Sequence, residues 1–139
     1  MAASVLVDAG FVIALIDRRD THHAWAVTQS ARFARPWYTC EAAASEAFHL
    51  LGAEGVRPLG TLFARSLLRT AFRFDEHAEP VLRLMEKYAG VPMSFADACL
   101  VRMTETIADP VLLTTDSDFT IYRRHSRQVV PCVLPASSR

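Results

Sequence analysis

The chain has 139 residues, 51% of them hydrophobic and 22% charged, which excludes a disordered or low-complexity protein. That length suits one domain and lets roughly 68% of the unfolded surface be buried without a disulfide or metal staple. Fifteen Lys and Arg balance fifteen Asp and Glu, which excludes a polycation that coats nucleic acid but not a local basic patch.

In chain order, Ser4 to Val7 reads as a short apolar strand that stops at Asp8-Ala-Gly10. A helix over Phe11 to Ile16 ends in the polar cluster Asp17 to Asp20. A second helix runs from Thr21 to Phe33, capped by Asp20 or Thr21. Arg35-Pro36 breaks it, and Trp37 to Thr39 is the second strand. Glu41 to Gly52 is rich in Ala and Leu and helical, with the glycine as its stop. Pro58 to Leu68 predicts another helix, and Ala71 to Phe74 a third strand. Glu76 to Tyr88 is helical and closed by Gly90 and Pro92. Ser94 then caps a helix reaching Thr106, with Asp97 at the position that completes a capping box. After Asp109-Pro110 come a fourth strand over Val111 to Thr114 and a fifth over Val129 to Leu134.

Short apolar strands alternating with helices predict one α/β domain over residues 1–139 with a buried, mostly parallel sheet. Ligands of such folds bind beyond the carboxyl ends of the strands. Cys40, Cys99 and Cys132 are odd in number and lack paired metal-ligand spacing, which fits a reducing cytoplasm. The apolar opening from Val5 to Ile16 is interrupted by Asp8 and is too short to span a bilayer, so no membrane attachment is expected.

Two strands run straight into carboxylates, the first into Asp8 and the fourth into Asp116, with Asp118 two residues on. Two further acids stand in apolar helices: Glu46 among Ala42 to Leu51, and Asp97 among Phe95 to Val101. Glu41 is a weaker candidate at a helix start, and His22, His23 and His49 have no partner pattern. Burying an ionised carboxylate costs several kcal/mol unless it is paired or binds a cation. Four converging acids without matching bases therefore point to a hard divalent cation, Mg²⁺ or Mn²⁺, which takes oxygen ligands. Such ions support phosphodiester cleavage by water. The acids are expected to form one cluster at the carboxyl edge of the sheet.

Val5-Leu-Val-Asp8, Ser45-Glu46, Pro92-Met-Ser-Phe-Ala-Asp-Ala98 and Leu113-Thr-Thr-Asp-Ser-Asp-Phe119, in this order and spacing, resemble the PIN-domain ribonucleases. The resemblance is nearest to the VapC-type toxins of bacterial toxin–antitoxin pairs. It implies a three-layer α/β/α fold with a central, mostly parallel sheet of about five strands. It also implies a metal-binding and catalytic set of Asp8, Glu46, Asp97 and Asp116, with Asp118 as an auxiliary or alternative fourth metal-binding acid. An RNA substrate, a cognate antitoxin and a homodimer follow from the same likeness. One departure stands out: the family usually carries Thr or Ser directly after the first Asp, and here the residue is Ala9.

From Phe119 onward the chain holds arginines and no acid. Arg123, Arg124 and Arg127 are expected to rim the site and bind RNA phosphates, with Tyr122 available to stack on a base. Arg65, Arg69 and Arg73 recur every four residues, as on a basic or solvated helix face. Two other functions compete with a toxin: a PIN nuclease of RNA processing, and a catalytically dead PIN-like module that only binds RNA or protein.

Overall fold

A computed structural model of the protein describes residues 2–136; Arg139, at the end of the acid-free segment, lies outside them. Its centre is a five-stranded, wholly parallel sheet. The strands are β1 (Ser4–Val7), β2 (Trp37–Thr39), β3 (Leu68–Thr70), β4 (Pro110–Leu113) and β7 (Cys132–Val133), in the spatial order β3-β2-β1-β4-β7. Between them run α1 (Ala9–Ile16), α2 (His23–Arg32), α3 (Glu41–Leu51), α4 (Val56–Ala64), α5 (Ala78–Lys87) and α6 (Phe95–Thr106). A small antiparallel hairpin, β5 (Arg123–Arg124) with β6 (Gln128–Val129), precedes β7.

Strand alternation makes the three layers, since successive side chains leave opposite faces of a sheet. Val5, Val7 and Leu113 pack with Phe11, Trp37, Leu59 and residues of α1 to α4. Leu6 and Leu112 pack with Val81 of α5, Leu100 and Met103 of α6, and Tyr122. The chain moves outward from β1 to β3, then returns to place β4 on the other side of β1. The reversal leaves a crevice between β1 and β4, where doubly wound sheets bind their ligands. Among the described residues, no helix is long and apolar enough to cross a membrane.

The α/β architecture is as the sequence predicts; several boundaries differ. α1 starts at Ala9 because Asp8 caps it. The helix expected to reach Leu68 stops at Ala64, where Ser66 takes a left-handed φ of 55° and turns the chain into β3. Ala71 to Phe74, expected as a strand, is a loop entering a 3-10 turn (Phe74–Glu76). Its apolar alternation serves other contacts: Phe72 joins the core beside α6, and the Phe74 ring meets Phe95 edge to face at 5.0 Å. The expected strand from Val129 to Leu134 is split at Pro131, which has no N–H to give a ladder; its carbonyl accepts from Leu112 N–H at 2.9 Å. Arg65, Arg69 and Arg73 share no helix face, since Arg65 ends α4, Arg69 lies in β3 and Arg73 follows it.

The hairpin is tied to α5 and α6 by hydrogen bonds. Lys87 Nζ donates to the Ser126 carbonyl at 2.9 Å, and His125 N–H to Glu105 Oε2 at 2.7 Å. Arg124 Nη2 donates to the Thr104 carbonyl in the last turn of α6. A guanidinium there satisfies a carbonyl the helix leaves open and complements its dipole. Arg124→Ala should therefore lower stability by about 1–2 kcal/mol, read as a lower midpoint of denaturant unfolding. An unchanged midpoint would show that this bond contributes nothing.

Candidate functional site

The site is built where β1 and β4 end. Val7 pairs with Leu113, so Asp8 and Thr114 emerge side by side. Asp8 caps α1, its Oδ1 accepting from Phe11 N–H at 2.9 Å. Its Oδ2 accepts from the Thr114 hydroxyl, whose oxygen in turn accepts from Asp116 N–H at 3.0 Å. One buried hydroxyl thus joins the turns that carry the two acids. Asp116 Oδ1 accepts from Asp118 N–H at 2.9 Å, which starts the 3-10 turn Ser117–Thr120.

Asp97 enters from the opposite wall. It completes the α6 capping box, with its N–H donating to Ser94 Oγ at 3.0 Å and its Oδ2 accepting from Ser94 N–H at 3.5 Å. The same Oδ2 accepts from the Tyr122 hydroxyl at 2.9 Å. Glu46 is exposed on α3 and stands at the rim. Asp8, Glu46, Asp97 and Asp116 line one cleft of about 130 Å³, together with Gly10 and Thr115 among others and without Lys or Arg. Thr115 comes close to helix α1: a Cβ on Gly10 would lie 2.6 Å from its hydroxyl oxygen, so only glycine leaves that oxygen its place.

Electrostatics oppose two of these carboxylates, Asp8 and Asp97. Burial pushes Asp8 up to about 7, against the lowering effect of its bonds from Thr114 and Phe11 N–H, and the charges of Asp116 and Asp97 add to the rise. Asp97 is also raised, first by burial and further by Asp116, although Tyr122 and Ser94 favour its charged form. The Tyr122 hydroxyl is raised by burial and by its bond to Asp97, so it stays protonated and donating. This donor set, acidic oxygens in a partly desolvated cleft without a basic counterpart, fits a divalent cation. Among the described residues, no group of three or more acids, histidines or cysteines is arranged to hold a metal ion as the side chains lie. Asp8 and Asp97 are held instead by protein donors.

The remaining expectations fare differently. Asp118 lies outside the lining of the cleft and forms the turn that follows Asp116. Tyr122 does not offer a stacking face: it is fully buried, edge-on to Tyr88 and Phe119, and its hydroxyl positions Asp97. Arg123 Nη1 donates to the carbonyls of Thr120, Ile121 and Tyr122 at 2.7, 3.3 and 3.0 Å, and Arg124 is spent on α6. Arg127 is exposed in the hairpin turn. Ala9 is buried in the core of the α1 to α4 face. The hydroxyls next to Asp8 come instead from Thr114 and Thr115, which the sequence pattern did not single out.

Residues 5–124 match the model of the PIN domain family. The chain belongs to the PIN domain family. The match runs from β1 to β5 and takes in all five acids considered above. PIN domains are generally nucleases, hydrolases acting on nucleic acid and typically using divalent metals. Among curated proteins none matches the chain.

Asp8 makes a pH dependence. Its carboxyl rises from 3.8 to about 7 on folding, so between those values the folded state binds more protons than the unfolded one. Stability without added metal should fall as pH rises through that window and level off above it, by about 1.4 kcal/mol for each pH unit crossed. In Asp8→Asn, which is neutral throughout, the fall should shrink. Denaturant midpoints across this pH range give the measurement, and equal slopes in both proteins would contradict the assignment.

Proposed function

We propose that the protein is a metal-dependent endoribonuclease and the toxin of a toxin–antitoxin pair, acting in the cytoplasm. The observation that carries the nuclease reading is the placement of Asp8, Glu46, Asp97 and Asp116 around one cleft at the reversal of strand order, with no base among its lining residues. These four acids would hold Mg²⁺ or Mn²⁺. When bound, such an ion supplies charge neutralisation and activation of water for phosphodiester hydrolysis.

The chain's own residues do the positioning. Thr114 fixes Asp8 and the backbone of Asp116 at the floor of the cleft. Tyr122 and Ser94 hold one oxygen of Asp97. Glu46, exposed and without a hydrogen-bond partner among the described residues, is the acid most able to swing toward an incoming ligand. Among the described residues of the terminal segment, exposed Arg127 is the cation most available to an RNA phosphate.

The toxin role, the antitoxin partner and the homodimer rest on the likeness of the motifs to VapC-type proteins. A PIN nuclease of RNA processing would use the same cleft. The binding-only module is favoured by one observation, the methyl of Ala9 where relatives carry a hydroxyl.

RNA incubated with the protein should be cut in Mn²⁺ and left intact in chelator. Asp116→Asn should lower the rate by on the order of 100-fold or more while the fold persists by circular dichroism. Its expression in a bacterium should permit growth that the wild type arrests. Equal cleavage by wild type and Asp116→Asn would remove the acid cleft from the chemistry, and no cleavage by the wild type would favour the binding module.

A further inference from the structure

A second cavity, of about 340 Å³, opens beside the acid cleft. Cys40, Glu41 and Ala42 at the start of α3, Phe72 to Asp75 after β3, and Phe95 and Cys99 of α6 line it. The two cavities share a wall. Ala42, Phe95 and Cys99 face one, while their chain neighbours Ala43, Ala96 and Leu100 face the other.

The lining has a definite chemistry. Phe95 is 40% exposed, unusual for a large ring at a helix start, and its contact with Phe74 at 5.0 Å and 80° fixes its plane. Glu41, Arg73 and Asp75 are exposed at the mouth, and none has a side-chain hydrogen bond or ion pair among the described residues. Two carboxylates against one guanidinium disfavour a phosphate. They favour a flat, neutral ligand with N–H donors on its edge, held against an aromatic face.

We propose that this cavity takes an unpaired, amino-bearing nucleobase of the RNA, next to the phosphate bound in the acid cleft; the proposal rests on the ribonuclease reading. Phe95 stacks on the base. Glu41 and Asp75 accept from its amino and imino groups, and Arg73 faces its ring or carbonyl acceptors. Guanine matches this set best, with adjacent N1–H and N2–H donors on one edge and O6 and N7 acceptors on another. Uracil fits poorly, because its single N3–H lies between two carbonyls that a carboxylate repels. This site supplies the stacking face that buried Tyr122 cannot.

The probe is a single-stranded oligouridylate carrying one 6-methylisoxanthopterin, a guanine analogue that keeps the ring N–H, amino and carbonyl edge and whose fluorescence is quenched on stacking. It is titrated with Asp116→Asn protein in Mn²⁺ to prevent turnover. Adding Phe95→Ala should weaken binding about tenfold and abolish the quench, since one base stacked on an aromatic ring contributes on that scale. Phe95→Trp should restore both. Phe95→Leu, which keeps apolar packing against Phe74, should restore neither. Glu41→Gln with Asp75→Asn should erase the preference over plain oligouridylate. Unchanged affinity and quench in Phe95→Ala, or rescue by Leu equal to that by Trp, would overturn the proposal. A changed particle mass with unchanged RNA affinity would make the cavity a protein contact and also overturn it. RNA cleavage by the otherwise wild-type chain separates this proposal from the function it rests on. Cleavage indifferent to Phe95 sinks the base pocket alone. Phe95-dependent quenching without any wild-type cleavage sinks the hydrolytic reading and leaves the pocket standing.

Discussion

The in-register pairing of β1 with β4 is the constraint on which the rest depends. Ser4, Val5, Leu6 and Val7 lie opposite Pro110, Val111, Leu112 and Leu113, and the next residue on each strand is polar. A slip of β4 by one residue would turn Leu112 to the wrong face and part Asp8 from Thr114. The apolar cores on both sides of the sheet therefore specify the register, and the register delivers the carboxylate to its hydroxyl donor. Site geometry here is a by-product of core packing.

The same placement sets an electrostatic conflict. Asp8 is buried for reasons of topology, and the hydrogen bonds from Phe11 N–H and Thr114 offset only part of its lost hydration. Asp116 and Asp97 worsen the conflict, and no base in the cleft relieves it. Strain of this kind is common at functional sites, because the folded chain retains it only where surrounding packing over-determines the position. Tyr122 contributes to that over-determination. It is buried among aromatic rings and holds its hydroxyl on Asp97 from 25 residues away in sequence.

Much of this was legible in the residues. Asp8 and Asp116 could be read because each ends an apolar strand, and Asp97 because Ser94 stands three residues before it. What escaped depends on contacts between distant segments. Tyr122 at the head of an arginine-rich stretch looks like a surface aromatic, and only its packing shows it to be internal. Phe72 and Phe74 alternate like a strand, yet their partners are a histidine ring and a helix-start phenylalanine. The four-residue recurrence of Arg65, Arg69 and Arg73 mimics a helix face, because periodicity cannot register the left-handed turn at Ser66. Thr114 and Thr115 escaped because a threonine at a strand end is unremarkable until the atom its hydroxyl touches is known.

The capping box of α6 makes Asp97 serve two masters. Its backbone N–H and side chain close the first turn of a helix that fills much of one face of the core, while its carboxylate faces the acid cleft. Loss of charge at this position is therefore entangled with fraying of a structural helix. Replacing Asp97 removes a carboxylate from the cleft and a cap from the helix together. Glu46, exposed on α3 and free of such duties, can be replaced with little effect on the fold. The site is guarded unevenly: one carboxylate is locked in by folding, and another is open to exchange at little structural cost.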